Sequence, residues 1–152
     1  MPNMLCRTLA RAGGICLVLC LLAAMRATAF EAAAFVIVTG RESVEPERKA
    51  ADILEARMRK RSDVSVTRIE EPNSTNESVG LGADAVVVVG SPRTTPFSAW
   101  LVDELDATMP RLPNSETLHP EGFAVKSGVV RGTPYVLVAG TDPRGTLYGV
   151  GH

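Results

Sequence analysis

The sequence predicts an α/β (α+β) domain in which helices pack on a mixed β-sheet of about five strands. Short runs of β-branched residues alternate with segments whose apolar residues recur at helical spacing. Two strands near the carboxyl end are close enough to form a hairpin, which requires antiparallel pairing, whereas strand-helix-strand connections favour parallel pairing. The predicted order is β-α-β-β-α-β-β-α, with two helices packed on the sheet.

The first half of this domain is predicted to hold three strands and one helix. Phe35-Val36-Ile37-Val38 is a buried strand, and Ser43 after it is the expected N-cap of a helix. A second strand covers residues 64–69, and residues 70–82 form a polar loop. The four consecutive valines within residues 85–89 predict burial on both faces, and therefore a central place in the sheet.

The second half is predicted to hold a helix, a hairpin and the start of another helix. The helix covers residues 96–107, and a proline-containing connector covers residues 109–120. Residues 122–125 and 135–139 are the two strands of the hairpin. Asp142 is the expected N-cap of the last helix, which has a proline in its first turn.

Residues 1–29 have the organisation of a cleavable signal peptide. Arg7 and Arg11 provide a positive amino-terminal region, an apolar run covers residues 13–25, and residues 27–29 give a small-x-small cleavage pattern. The alternative is an uncleaved membrane anchor. The apolar run is shorter than the roughly 20 residues that span a bilayer, which favours cleavage.

Removal of the signal changes the chemistry of the remaining domain, residues 30–152. The three cysteines (Cys6, Cys16 and Cys20) all lie in the signal, so the mature domain has no disulfide, thiolate metal site or cysteine nucleophile. Three of the 16 basic residues are also removed, which leaves 13 against 17 acidic residues, a net charge of −4. A mildly acidic domain without a basic cluster is not expected to bind nucleic acid or, once processed, a membrane.

The acidic residues are assigned to the surface. Glycosidases use two carboxyl groups that project from the walls of a cleft. Here the pair Glu70-Glu71 lies at the start of a loop, and Glu47 is expected on the wet side of the first helix. Because unpaired acids are rarely buried, we interpret these residues as surface charge. The same interpretation applies to a group on the second helix: Asp103, Glu104 and Asp106.

Two further features suggest ligand binding but have simpler interpretations. Residues 140–146 follow a strand and open a helix, as a phosphate-binding loop does, but Thr146 stands where the phosphate-binding lysine is needed. Pro143 removes one backbone donor. We therefore interpret the segment as a capped turn. His119 and His152 are isolated, so they make no convincing metal site.

The remaining candidates are also interpreted as structural. Ser91 lacks the Gly-x-Ser-x-Gly pattern of nucleophilic serines. Trp100 could stack on a sugar, but its helical register with Phe97 favours the core. Asn73 and Asn76 match the glycosylation acceptor pattern, which we interpret as chance in a polar loop. No catalytic, cofactor-binding or metal-binding residue is predicted.

Three segments near the carboxyl end resemble a known domain. They are Glu121-Gly122-Phe123-Ala124-Val125, Tyr135-Val136-Leu137-Val138-Ala139-Gly140, and Thr141-Asp142-Pro143-Arg144-Gly145-Thr146-Leu147-Tyr148-Gly149-Val150. They are similar to the end of the N-terminal, chitobiase-like α/β domain that precedes the catalytic barrel in α-glucuronidases and β-N-acetylhexosaminidases. In those families an EGF/Y-x-V strand, a second strand and an R/A-G-x-x-Y-G helix start lead into the barrel. The resemblance covers about residues 35–152.

The resemblance implies structural roles, not catalytic ones, for its matching residues. The acid and nucleophile of those hydrolases lie in the barrel, so no catalytic residue is carried over to this chain. Gly145 and Gly149 are expected to allow close helix packing, and Tyr148 to anchor the helix to the sheet. The family helix normally continues, so the last helix is expected to be truncated at His152.

The expected function is that of a non-catalytic accessory domain of an exported glycoside hydrolase. It is expected to be inactive alone, to need no cofactor, and to act in the periplasm or outside the cell. Its expected partners are a catalytic TIM barrel, normally in the same chain, and polysaccharide. The alternative is a stand-alone exported module that binds carbohydrate or protein.

Overall fold

The computed structural model describes residues 33–61, 63–73 and 82–152. These residues form five strands and three helices. The strands are β1 (Ala34–Thr39), β2 (Ser65–Glu70), β3 (Ala85–Val89), β4 (Phe123–Val130) and β5 (Thr133–Gly140). The helices are α1 (Glu45–Arg61), α2 (Pro96–Glu104) and α3 (Pro143–Gly151). Along the chain they follow the order β1-α1-β2-β3-α2-β4-β5-α3.

The strands form one mixed sheet in the order β2-β1-β3-β5-β4. β1 pairs in parallel with β2 and with β3, and β3 pairs in parallel with β5. β4 pairs antiparallel with β5 and forms one edge. The predicted α/β class with a mixed sheet of about five strands is confirmed.

β3 occupies the centre of the sheet, as its valine run predicted. All five of its residues are buried. Val86 and Val88 point into the core on one face, while Val87 and Val89 point into the core on the other. A strand covered on both faces needs no polar alternation, which explains the uninterrupted apolar run.

Three helices cover the sheet, instead of the two that were expected. α1 and α3 pack on one face, where Ala50 and Val150 join the core around Val87. α2 packs on the opposite face, where Phe97 and Leu101 join the core around Val88. α3 therefore forms, together with α1, the helical layer on one face of the sheet.

The β4–β5 hairpin is longer than the sequence predicted, because β4 continues past Val125 to Val130. Lys126, Ser127 and Gly128 break the apolar pattern, but each still pairs with a residue of β5. Arg131 and Gly132 form the two-residue turn, with φ values of 52° and 82°. Two consecutive positive φ values are typical of the hairpin turn whose twist matches that of the strands.

Some predictions lie outside the described residues. The signal peptide, residues 1–29, is one of them, and so is Asn76 with most of the loop predicted at residues 70–82. Within the described ranges, no helix has the length and apolar character needed to cross a bilayer.

Candidate functional site at the carboxyl ends of the parallel strands

The strand order places a crevice at the carboxyl ends of β1 and β3. These neighbouring strands are parallel, but the helices that follow them lie on opposite faces of the sheet. The two connecting loops, residues 40–44 and 90–95, therefore separate at this point. Open α/β sheets bind their ligands at such a switch in strand order.

Two clefts open beside the crevice, and Arg41 lines both of them. One has a volume of about 310 Å³ and includes Asn73, Arg93 and Phe97. The other, of about 300 Å³, includes Arg48. Arg41 is held in place because its Nε donates to the Glu71 carbonyl at 3.0 Å and its Nη1 donates to Asn73 Oδ1.

The first buried acid of the crevice is Glu47, in the first turn of α1. The structure corrects the prediction that it lies on the wet side of the helix, because its side chain is 0% exposed. Glu47 Oε1 accepts hydrogen bonds from the Ser91 amide at 2.8 Å and from Thr94 Oγ1 at 2.5 Å. Oε2 accepts from the Val44 amide at 3.1 Å. One carboxylate thus joins the start of α1 to the loop after β3.

Glu47 also takes over the capping role that was predicted for Ser43. The prediction for Ser43 is wrong: its Oγ is buried and has no hydrogen-bond partner among the described residues. Glu47 lies three residues after Val44 and reaches back to the Val44 amide, as the glutamate of a capping box does. The helix start is therefore stabilised by an acid inside the helix and not by the residue before it.

The second buried acid is Glu71, which follows β2. Its neighbour Glu70 is exposed as predicted, but Glu71 is only 6% exposed, so its assignment to the surface is wrong. Glu71 Oε2 accepts from the Phe97 amide at 2.9 Å and Oε1 from the Arg41 amide at 3.3 Å. Because Phe97 lies in the first turn of α2, this carboxylate supplies the negative charge that a helix N-terminus favours.

Thr95 fills the space between the two strand ends. It precedes α2, is completely buried, and its Oγ1 has no hydrogen-bond partner among the described residues. A Cβ placed on Gly40 or Gly90 would lie 2.4 Å or 2.1 Å from this oxygen. The chain therefore needs glycine at the end of β1 and directly after β3, so that Thr95 can lie against both.

These contacts define what the crevice can do chemically. Every carboxylate oxygen of Glu47 and Glu71 already accepts a hydrogen bond from the protein, and three of the four accept from backbone amides alone. Together, the two acids therefore connect the segments that follow the parallel strands β1, β2 and β3. Their arrangement suits a rigid support better than a pair of acid and base catalysts, whose oxygens must be available to substrate.

The other acids that were considered from the sequence remain at the surface. Asp103, Glu104 and Asp106 are exposed, which confirms their interpretation as surface charge. Glu104 Oε1 accepts a hydrogen bond from Trp100 Nε1 at 3.1 Å. Trp100 is partly buried and packs against the core residues Phe97 and Tyr135, with ring centroids 5.0 Å and 6.2 Å away, so its helical register faces the core as predicted.

Ser91 and the two histidines are also engaged in local contacts. Ser91 is completely buried, and its Oγ lies 3.1 Å from Thr94 Oγ1. His119 Nδ1 lies 2.7 Å from the Pro120 carbonyl oxygen, and the ring of His152 packs 5.7 Å from that of Phe123. Within residues 33–61, 63–73 and 82–152, no three His, Cys, Asp or Glu residues are grouped so that they could hold a metal ion.

The glycine-rich turn before α3 is closed by its own side chains, as the interpretation of a capped turn predicted. Asp142 caps the helix, with Oδ1 accepting from the Gly145 amide at 2.8 Å and Oδ2 from the Glu121 amide at 2.8 Å. Burial alone would raise the pKa of Asp142, but the hydrogen bonds from Gly145 and Glu121 and the charge of Arg144 hold this pKa below its ordinary value. The N-terminus of α3 is thus already occupied by the carboxylate of Asp142.

The matching residues of the resemblance form one structural unit. The Thr141 amide donates to the Gly122 carbonyl at 2.8 Å, which joins β5 to the start of β4. A Cβ on Gly145 would lie 2.1 Å from that same carbonyl oxygen, and one on Gly149 would lie 3.0 Å from Val138 Cγ1. The expected close packing of the helix at these glycines is confirmed.

Tyr148 does not fulfil the role expected of it. Its side chain is 48% exposed, so it does not anchor α3 to the sheet as predicted. Close packing is made instead at the two glycines: Gly145 lies against the Gly122 carbonyl, and Gly149 lies against the side chains of Val138 and Phe123.

Neither protein-family models nor curated protein sequences give a match to this chain.

Glu47 and Glu71 are the two residues of the candidate site whose burial the sequence interpretation missed. Glu47 does carry a local signal, since it is an acid in the first turn of a helix, three residues after the N-cap position. Glu71 carries no such local signal, because its donors Arg41 and Phe97 lie 30 and 26 residues away in the chain.

Proposed function

We propose that this chain is a non-catalytic accessory domain of an exported glycoside hydrolase of the α-glucuronidase or β-N-acetylhexosaminidase type. It packs beside a catalytic TIM barrel and is inactive by itself. The observation that carries the proposal is the use of both buried carboxylates, Glu47 and Glu71, as hydrogen-bond acceptors between loops. The crevice where an α/β domain would act is thus occupied by its own supporting contacts.

Two further observations support the proposal. The residues that carry the resemblance bring β4, β5 and α3 together through Gly122, Asp142 and Gly145, and therefore act in folding. The signal-like residues 1–29 fit a protein that meets a polysaccharide outside the cytoplasm.

An activity assay tests the absence of catalysis. The purified chain is incubated with nitrophenyl glucuronide and nitrophenyl N-acetylglucosaminide, and we expect no release of nitrophenol. Release that disappears in Glu71→Gln but persists in Glu70→Gln would contradict the proposal. Glu70 is the matched control because it is the adjacent, exposed acid.

The gene and the secreted product test the rest of the proposal. Sequencing of the gene on the 3′ side of the His152 codon is expected to find a barrel domain in frame or in an adjacent gene. Amino-terminal sequencing of secreted protein is expected to begin at Phe30. A stop codon directly after His152 without any adjacent hydrolase gene would overturn the accessory role. An intact Met1 on the secreted protein would overturn cleavage of the signal, and absence of the protein from the secreted fraction would overturn export.

The alternative function is a stand-alone exported module that binds carbohydrate or protein. The cleft of about 310 Å³ favours it, because Arg41, Asn73 and Arg93 bring polar groups to one opening. Calorimetry with acidic and neutral oligosaccharides tests the carbohydrate version. Binding that is lost in Arg93→Ala but kept in Lys49→Ala, an exposed change on α1, would support it, and no heat with any oligosaccharide would reject it.

A further inference from the structure

β4 and β2 are the two edges of the sheet, and they differ sharply in character. β2 carries charge at its edge, because Arg68 forms two ion pairs with acids of α1. Its Nη2 lies 2.5 Å from Asp52 Oδ1 and 3.0 Å from Glu55 Oε2. β4 instead exposes two valines, Val125 at 53% and Val129 at 68%. Protein edges are normally protected by charge, proline or short length, and β4 has eight residues, no proline and a single charge, Lys126.

The pairing register shows which backbone groups of β4 are free. The Thr141 amide donates to the Gly122 carbonyl, and alternate residues of an antiparallel strand exchange hydrogen bonds with the same partner. Even-numbered residues of β4 therefore bond to β5, and odd-numbered residues direct their N–H and C=O groups away from it. Among the residues that the structure describes, none pairs with the outward N–H and C=O groups of Val125, Ser127 and Val129, and the two valines also expose their apolar side chains.

This edge is self-complementary. If a second β4 approaches antiparallel with its two-fold axis at Ser127, then Ser127 faces Ser127 of the second copy. Val125 then faces Val129 and Val129 faces Val125, so the exposed valines meet on one face and every free N–H in this set finds a carbonyl. Lys126 faces Gly128, so no two like charges are opposed.

We propose that the chain forms a two-fold symmetric homodimer through β4, which joins two five-stranded sheets into one of ten strands. The occupant of the β4 edge is a second copy of the same chain, because the free hydrogen-bonding groups and the valines match under a two-fold axis. This assembly is independent of the proposed accessory function, which concerns a catalytic partner.

Cross-linking tests the register directly. Residues that face each other in a hydrogen-bonded antiparallel pair have Cα atoms about 5.5 Å apart, which suits a disulfide. Ser127→Cys is therefore expected to give a covalent dimer on mild oxidation, and mass spectrometry should map the disulfide to the introduced cysteine of each copy. Ser65→Cys, an exposed serine on the opposite edge strand, is the matched control and is expected to stay monomeric under the same conditions. Equal cross-linking of both variants would overturn the proposal.

Sedimentation velocity tests the association itself without added cysteine. Wild type is expected to sediment at twice the monomer mass at about 100 µM, and Val129→Lys to raise the dissociation constant at least about tenfold, because it brings a charge into a desolvated pair. Val44→Lys, an equivalent change at an exposed valine outside the sheet, is expected to leave association unchanged. A wild-type monomer at about 100 µM, or equal effects of the two lysine variants, would refute the dimer.

Discussion

Substitution of Glu47 by alanine is expected to be among the most destabilising single changes in this domain. It removes the acceptor of three donors: the Ser91 amide at 2.8 Å, Thr94 Oγ1 at 2.5 Å and the Val44 amide at 3.1 Å. The Ser91 amide is buried and stays unpaired, whereas water can reach the partly buried Thr94 and Val44. A buried donor left without a partner costs about 1–3 kcal/mol, and the lost packing adds to this.

We therefore expect Glu47→Ala to lower the free energy of unfolding by about 3–5 kcal/mol. A domain of this size has roughly 6–18 kcal/mol in total, so the loss is a large fraction of its stability. Glu47→Gln keeps one acceptor oxygen for Ser91 but places an amide donor near the Val44 N–H, and it should cost about 1–3 kcal/mol.

Urea unfolding followed by Trp100 fluorescence measures these differences, with an unchanged m-value expected for each variant. Glu45→Ala is the matched control, because Glu45 is an exposed acid in the same helical turn and its loss removes only about 0.3–1 kcal/mol of helix-dipole stabilisation. If Glu47→Ala and Glu45→Ala differ by less than about 1 kcal/mol, Glu47 does not connect the loops as described.

Three further predictions use the same unfolding measurement. Gly145→Ala should destabilise by at least about 1–3 kcal/mol, because its Cβ would lie 2.1 Å from the Gly122 carbonyl. Gly151→Ala has open space and should be neutral or slightly stabilising; equal effects of the two would refute close packing. Thr95→Val removes a buried hydroxyl without a described partner and should stabilise by about 1 kcal/mol, so a clear loss would mean that the hydroxyl is bonded. Asp142 has a lowered pKa, so its stabilisation is present above the unfolded value near 3.8 and is lost as pH falls through the folded value. Asp142→Asn is expected to reduce the loss of unfolding free energy at acid pH. A dependence of stability on pH equal to that of wild type would contradict this prediction.

Local patterns in the sequence were sufficient for much of the fold. The valines of β3 indicated a central strand because burial on both faces removes polar alternation, and Asp142 indicated a helix start because its short side chain reaches its own first turn. The length of β4 was underestimated, since Lys126 and Ser127 look like a strand end. Their pairing with Leu137 and Val136 extends the strand, and that pairing depends on the partner.

The candidate site was harder to predict, because its contacts are distant in the chain. An acid such as Glu47 is assigned to the surface by helical periodicity, and only a donor 44 residues later, Ser91, explains its burial. Glu71 is likewise paired with Phe97 across 26 residues. The sequence shows each acid and each donor residue separately, but it does not show that they come into contact in the folded domain.

The strand order also has a consequence for how the chain acquires its structure. Phe35 pairs with Ala85, and Val86 pairs with Tyr135, so two of the inner ladders each close a loop of about 50 residues. Only the β4–β5 hairpin is local, and hairpins of this kind form within about 1–10 µs. In a chain that is made or threaded from its amino end, β1 emerges first but lacks its inner neighbour until β3 has followed, and β3 waits for β5. β1 thus lacks its inner neighbour while about 50 further residues are made, and the arrival of β5 sets the moment at which the centre of the sheet is complete.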